Sequence, residues 1–488
     1  MLGMKARSVK ADWLPAFPLP ATLLALAGLA VQEATDPDLW WHMATGRYIL
    51  SQRYIPAYDI FSYTATSHRW VTHEWLSDVL LYSGYRLTGF IGLSIFFALV
   101  ITTAFALVFL TCRTRPVVAA CSVMVAAVAS HMTWGVRPQM FTLLFTSLYL
   151  YILDRDSLRA SRLVWLLPPL GALWANLHSG FMAGLAVIAV HVVGRELSWL
   201  RRWRGQGPLL GPGVGRLALV GVLSGLCMLL TPNGVAAALF PFGTLSNNLI
   251  QQHISEWASP NFHLPMTWPL ALFWLLLLGT MALSRQRISA TELLLLSGAT
   301  VAALYSMRHV TFLSLVGAPI LARQAAALRP APPASKPAPA PVQAVFGVAL
   351  VALGVVLGAR IHSIAQGNAE AQRRAFPIDA VQYLQAHHLA GRIFNTYQWG
   401  GYLIWQGYSV FVDGRAEVYG DEILNEYLKA NDVQADWEEP LQRYGVGICL
   451  IESSSRLAVL LKASGRWQAV YSDNLATVFV PAQVASSR

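Results

Sequence analysis

"QEATDPDLWWHMATG", residues 32–46, sets Asp36 and Asp38 on either side of Pro37 and follows them with Leu39, Trp40, Trp41 and His42. It comes directly after the first long apolar run, about Leu14 to Val31, so its meaning depends on what that run is. If the run crosses a membrane, both acids stand a few residues beyond its far end, at headgroup depth. Trp40 and Trp41 then suit the aromatic belt found there.

Composition answers the question about the run. Of 488 residues, 55% are hydrophobic and only 12% charged, whereas soluble domains carry about a quarter charged residues. The chain reads as a polytopic membrane protein. Its net charge of +10 would suit nucleic acid, but membrane proteins also gather Lys and Arg on their cytoplasmic loops, so no nucleic-acid partner is expected. Cys112, Cys121, Cys227 and Cys449 show no paired spacing, and neither a disulfide framework nor a zinc site follows from them.

A spanning helix needs roughly 20 mostly apolar residues. Segments that qualify or come close centre on 14–31, 90–111, 117–134, 140–153, 163–177, 181–199, 216–235, 267–284, 288–306, 310–323 and 343–360. The expectation is an α-helical polytopic protein of about eleven transmembrane helices, several of them tilted or broken. Lys5, Arg7 and Lys10 precede the first run, which is read as an uncleaved helix because so many spans follow it.

With the N-terminus cytoplasmic, eighteen of the Lys and Arg residues before residue 360 fall on inner segments, among them Arg201, Arg202, Arg204 and Lys336. Six fall outside: Arg47, Arg53, Arg69, Arg86, Arg137 and Arg308. The positive-inside bias therefore predicts a multi-pass cell-membrane protein with its N-terminus in the cytoplasm. Residues 1–361 form the membrane domain, with a long first outer loop at 32–89, and "LRPAPPASKPAPAPV" is an inner Pro/Ala linker. Residues 362–488 form a C-terminal extracytoplasmic α/β domain, periplasmic in a two-membrane cell. There "RIF", "SVFV", "GICLIE" and "ATVFV" read as strands and 420–431 as a helix. Within the first loop, "THEWLSDVLLYSGYRL" has near-helical apolar spacing and is expected to lie in the interface; Glu74 and Asp78 read equally well as its exposed face or as a second acid for the site.

Two carboxylates flanking a proline can face one site, binding a divalent cation or polarising a nucleophile. An ordinary polar bend explains the same letters. Other ionisable residues fall at the same membrane level: Arg137 in "WGVRPQM", His178 in "WANLHSG", Glu256 in "HISEWASP", and Arg308 with His309 in "YSMRHV". Singly each is a helix-end anchor. Together they can line a pocket in which Arg holds a lipid-linked phosphate while an acid activates an acceptor.

"EATDPDLWWHMAT" resembles the acidic first-loop motif of the GT-C superfamily of membrane glycosyltransferases, most closely that of oligosaccharyltransferase catalytic subunits. The resemblance implies a catalytic and metal-binding role for Asp36 or Asp38, with Mg or Mn as the divalent cofactor. "HISE", 253–256, is similar to the family's late-loop motif ending in Glu, which helps engage acceptor, and so points to Glu256. "TYQWGGYLIW" is similar to its Trp-Trp-Asp-Tyr-Gly region, which implies acceptor contact by Trp399 and Tyr402, with Gly400 standing where the family has Asp. Asp413 and Arg415 in "VFVDGR" are expected to pair structurally.

The resulting expectation is an enzyme, a glycosyltransferase of the cell envelope. It would move a sugar or oligosaccharide from a polyprenyl-phosphate-linked donor to a protein or glycan acceptor on the outer face. Two other readings stay open: a transporter or flippase of lipid-linked saccharide, and a non-catalytic envelope assembly protein.

Overall fold

The computed structural model describes residues 17–66, 68–202, 210–329 and 340–482. Lys5, Arg7, Lys10, Arg204, Lys336 and most of the Pro/Ala linker lie outside the described residues. The helical body begins with α1 (Pro18–Ala30), α2 (Asp38–Gln52), α3 (Trp75–Cys112) and α4 (Pro116–Ser130). It continues through α5 (Gln139–Leu158), α6 (Leu167–Leu177), α7 (Met182–Leu200), α8 (Val214–Cys227), α9 (Gly234–Ser246) and α10 (Asn248–His253). It closes with α11 (Trp268–Leu283), α12 (Ala290–Tyr305), α13 (Val310–Ala327) and α14 (Ala340–Ala375). Each of the eleven predicted segments coincides with one of these helices. Among the described residues, six helices are long and apolar enough to cross a membrane, and four shorter apolar helices accompany them.

Two elements depart from the sequence expectation in their bounds. The stretch expected to be a separate interfacial helix is the first part of α3, set off at Gly89, whose φ of 65° is left-handed. Its acids are not exposed: Glu74 and Asp78 are both buried, because that face packs against α2 and the α6–α7 turn rather than facing water. At the other end α14 runs unbroken through 361/362, so the last apolar helix continues as a rigid stalk into the C-terminal unit.

That unit holds α15 (Ile378–Ala386), β1 (Arg392–Asn395), α16 (Gly400–Trp405), α17 (Ala416–Asn431), α18 (Glu438–Arg443), β2 (Val446–Glu452), α19 (Arg456–Ala463), β3 (Trp467–Ser472) and β4 (Ala476–Pro481). Its sheet has the order β1-β2-β4-β3, with β1 parallel to β2 and the other pairs antiparallel. "SVFV" is not a full strand. Val410 makes only single bridges, one to Ile393 and one to Ser62 of the first loop.

Those bridges belong to a larger junction. Arg415 is fully buried, pairing with Asp413 at 2.6 Å and with first-loop Asp59 at 2.8 Å, and its guanidinium lies 4.5 Å from the Trp70 ring centroid. Buried ions must be paired in this way to offset their desolvation. On the stalk side, Asn368 Oδ1 accepts the Ala34 amide at 2.9 Å, so α14 grips the chain just before the acidic motif.

Trp40 and Trp41 are buried, not interfacial. Trp40 meets Phe90, Phe376 and Tyr402 edge-on, an arrangement aromatic rings favour beyond simple burial. The C-terminal unit covers the face of α2 that a membrane surface was expected to cover.

Candidate active site

Asp36 and Asp38 sit at the entrance to α2, where Pro37 presets a helical φ of −60°. Asp36 Oδ1 accepts the Asp38 amide at 2.9 Å, closing an Asx turn ahead of the helix. Asp38 Oδ1 accepts the Trp41 indole N–H at 2.9 Å. The carboxylates thus have fixed orientations, and both line a cavity of about 470 Å³.

The same cavity collects Arg137, His178, Glu256, Arg308 and His309 from the separate loops on which the sequence placed them. Arg137, in the turn before α5, lies 3.5 Å from Asp36 Oδ2 and pairs closely with Glu256. Arg308 reaches Glu256 Oε2 at 3.6 Å and lies over the Trp257 ring. Although burial favours the neutral acid, Arg137 and Arg308 hold Glu256 below the ordinary carboxylate range. Burial raises Asp36, with Arg137 opposing it. Burial and the charge of Asp36 push Asp38 up to about 7. The Nε of Arg137 and the Nδ1 of His309 are buried without a partner among the described residues.

Behind this front lies a second charged layer that sequence reasoning only partly found. Glu74 is met by His178 at 3.3 Å, His42 at 3.4 Å and His73 at 3.5 Å. His178 Nδ1 accepts the Gly180 amide N–H, so its proton resides on Nε2 and points at Glu74. Burial drives His178 down to about 3 and keeps it neutral. His42 differs. Its two nitrogens face Asp78 and Glu74, and although burial opposes the charged ring, those acids push it up to about 9. His178, one of the residues expected to line a phosphate pocket, does line the cavity and is a neutral donor to Glu74. The adjacent "HE" of residues 73–74 was the one local signal of this layer.

Trp399 and Tyr402 do not reach the cavity. Trp399 donates its indole N–H to the Ala375 carbonyl at 3.1 Å, and Tyr402 packs between Trp40 and Phe376. The glycines between them explain why: a side chain on Gly400 would run into the Val412 carbonyl, and one on Gly401 would reach 2.5 Å from the Pro37 carbonyl. The motif is a close-packing device that seats the C-terminal unit on α2. Its neighbours Tyr397 and Gln398 line the cavity in place of the expected pair, and the Tyr397 hydroxyl is buried without a partner among the described residues. Gly414 and Glu417 complete that wall.

This architecture, a polytopic helical body with a C-terminal sheet domain, is a GT-C-like fold. Solved structures of that class match this chain along nearly its whole length. ArnT from Cupriavidus metallidurans, bound to undecaprenyl phosphate, is 14% identical with a TM-score of 0.52, covering 94% of this chain and 97% of its own. The Archaeoglobus fulgidus oligosaccharyltransferase tethered to an acceptor peptide containing the NVT sequon is 10% identical with a TM-score of 0.55, covering 97% of this chain and 75% of its own. Its complex with zinc and sulfate is 11% identical with a TM-score of 0.51, covering 96% of this chain and 73% of its own. Neither a family model nor a curated protein sequence matches this chain.

The zinc in that complex poses a test for the donor set here. Among the described residues no group of three or more His, Cys, Asp and Glu side chains is arranged to hold a metal. An ion enclosed by protein ligands alone does not fit. A Mg- or Mn-type ion does, since such ions take one or two carboxylates and complete their shell with water and substrate phosphate.

Proposed function

We propose that this protein transfers a sugar or oligosaccharide from a polyprenyl-phosphate-linked donor to a protein or glycan acceptor at the extracytoplasmic face of the cell membrane. One observation carries the reading: within a fold shared with lipid-linked glycosyltransferases, a single cavity holds Asp36 and Asp38 beside Arg137 and Arg308.

The chemistry follows from those neighbours. An acceptor oxygen or nitrogen attacks the anomeric carbon of the donor, and the bond from that carbon to the phosphate oxygen breaks. The acceptor proton passes to the Asp38 carboxylate, which lines the cavity beside Asp36. Departing polyprenyl phosphate leaves negative charge, which Arg308 and Arg137 neutralise at the wall they share with Glu256. Phe240, Ile254 and Phe312 provide the apolar surface beside which a prenyl chain runs. Asp36 and Asp38 would hold a divalent ion, which when bound supplies Lewis acidity to the phosphate.

The test supplies vesicles containing undecaprenyl-phosphate-linked radiolabelled hexose to the purified full chain, with membrane extract as acceptor. The Asp36→Asn, Asp38→Asn double variant is expected to lose about 10²-fold or more in label transfer while still binding undecaprenyl phosphate. Transfer by that variant at the unmutated rate sinks the proposal. Movement of labelled lipid between leaflets without transfer supports the transporter reading instead.

A further inference from the structure

Outside the carboxylate site, a cavity of about 1050 Å³ lies at the opposite end of the helical body. It is walled by the C-terminal ends of α3, α5, α7 and α13 and the N-terminal ends of α8 and α12. Six arginines line it against three carboxylates, Asp154, Asp156 and Glu292.

Each carboxylate is already engaged. Asp154 pairs with Arg113 and Glu292 with Arg323. Asp156, with a side chain of 0% exposure, is held by Arg195 at 2.8 Å and Arg216 at 2.5 Å. Arg159 and Arg202 are exposed and have no carboxylate partner among the described residues. The Arg195 Nε is buried without an acceptor among them. The lining therefore carries an excess of cationic donors. Val108, Leu150, Leu295, Leu315 and Ile320 form an apolar stretch of the lining, beside hydroxyls such as Ser147, Ser198 and Thr291.

We propose that this cavity binds the phosphate headgroup of an anionic membrane lipid, with the arginines on the phosphate and the lipid's first methylenes on the apolar wall. Arg is suited to the task because its planar fork meets phosphate oxygens bidentately and sheds water more easily than an ammonium. A soluble phosphate would use the arginines but leave the apolar wall wet. Arginines that merely face an anionic surface would attract lipid without defining a place for it. A single cavity of this kind at one end of the bundle predicts one retained lipid per chain.

The experiment places the purified full chain in phosphatidylcholine nanodiscs and titrates phosphatidic acid, a phosphate monoester lipid, reading retained lipid by native mass spectrometry. Inorganic phosphate is titrated in a parallel arm. The expected result is saturation at one phosphatidic acid per chain, with about tenfold weaker retention in Arg159→Gln, Arg202→Gln. Those side chains are exposed and have no carboxylate partner among the described residues, so thermal unfolding without phosphatidic acid should match the unmutated chain, which separates binding from folding. Retention that rises in proportion to lipid without saturating, or is equal in the variant, overturns the proposal. So does inorganic phosphate binding as tightly as the lipid. None of these outcomes involves the sugar-transfer assay, so the two proposals fail separately.

Discussion

The Asp38 carboxylate occupies the space a side chain on Gly414 would need: a Cβ built there would overlap Asp38 Oδ1 and stand 3.2 Å from the Trp41 indole nitrogen. The turn between Asp413 and Arg415, pinned by the buried Arg415 pairs, thus sets the back wall of the acid at the far end of the chain.

Gly414→Ala should therefore displace the acid and strain its hydrogen bond from the Trp41 indole. The expected outcome is a fall in sugar transfer of about 10²-fold, the usual cost of an ångström-scale misplacement, in a protein whose helix content by circular dichroism is unchanged. An unaltered rate would mean that the turn does not position Asp38.

Arg137 bridges Asp36 and Glu256, so removing it leaves two carboxylates at the cavity wall without the cation between them. Arg137→Gln should raise the KM for a polyprenyl-phosphate donor by roughly tenfold or more and lower kcat as well. Arg137→Lys is expected to restore little, because one ammonium cannot stand between both acids, as Nη1 does, while also reaching the Thr133 carbonyl, as Nη2 does. Steady-state kinetics on the three proteins decide it.

His42 should make stability depend on pH. Its folded-state value lies above its unfolded one, at about 9 against 6.5, because Asp78 and Glu74 outweigh burial. A raised value means that the contribution is fully present below about 6.5 and is lost as pH rises through about 9. Thermal unfolding temperatures should decline across that window, and His42→Gln should be less stable at pH 6 and flatter above it. Parallel curves for the two proteins would place the charge elsewhere.

Orientation has its own check. The eighteen-to-six distribution of basic residues predicts that alkaline phosphatase fused after Arg488 is active, since that enzyme matures only outside the cytoplasm. A fusion active only as a cytoplasmic reporter would invert the topology and move the carboxylate cavity to the inner face.

Much of this molecule is local information. Eleven apolar runs coincide with helices because burying a backbone in hydrocarbon leaves a helix as the one way to satisfy its own amides within a segment. Asp36 and Asp38, flanking a proline that starts α2, were equally visible as letters. Arg137, Glu256 and Arg308 were legible as residues at one membrane level. That they share a cavity was not, since their convergence depends on how separate helices pack. The same limit hid the second layer: Glu74 and Asp78 look like the solvent face of an amphipathic helix until α2 delivers His42 between them. Trp40, Trp41, Trp399 and Tyr402 show the converse. An aromatic ring beside a span suits a membrane interface or a protein interior equally well by hydropathy, and only the docking of the C-terminal unit through Gly400 and Gly401 decided for the interior. Sequence determined which groups were present and at which end of the bundle. Tertiary packing decided which faced the cavity, because burial, charge pairing and the absence of a Cβ act between residues distant in the chain.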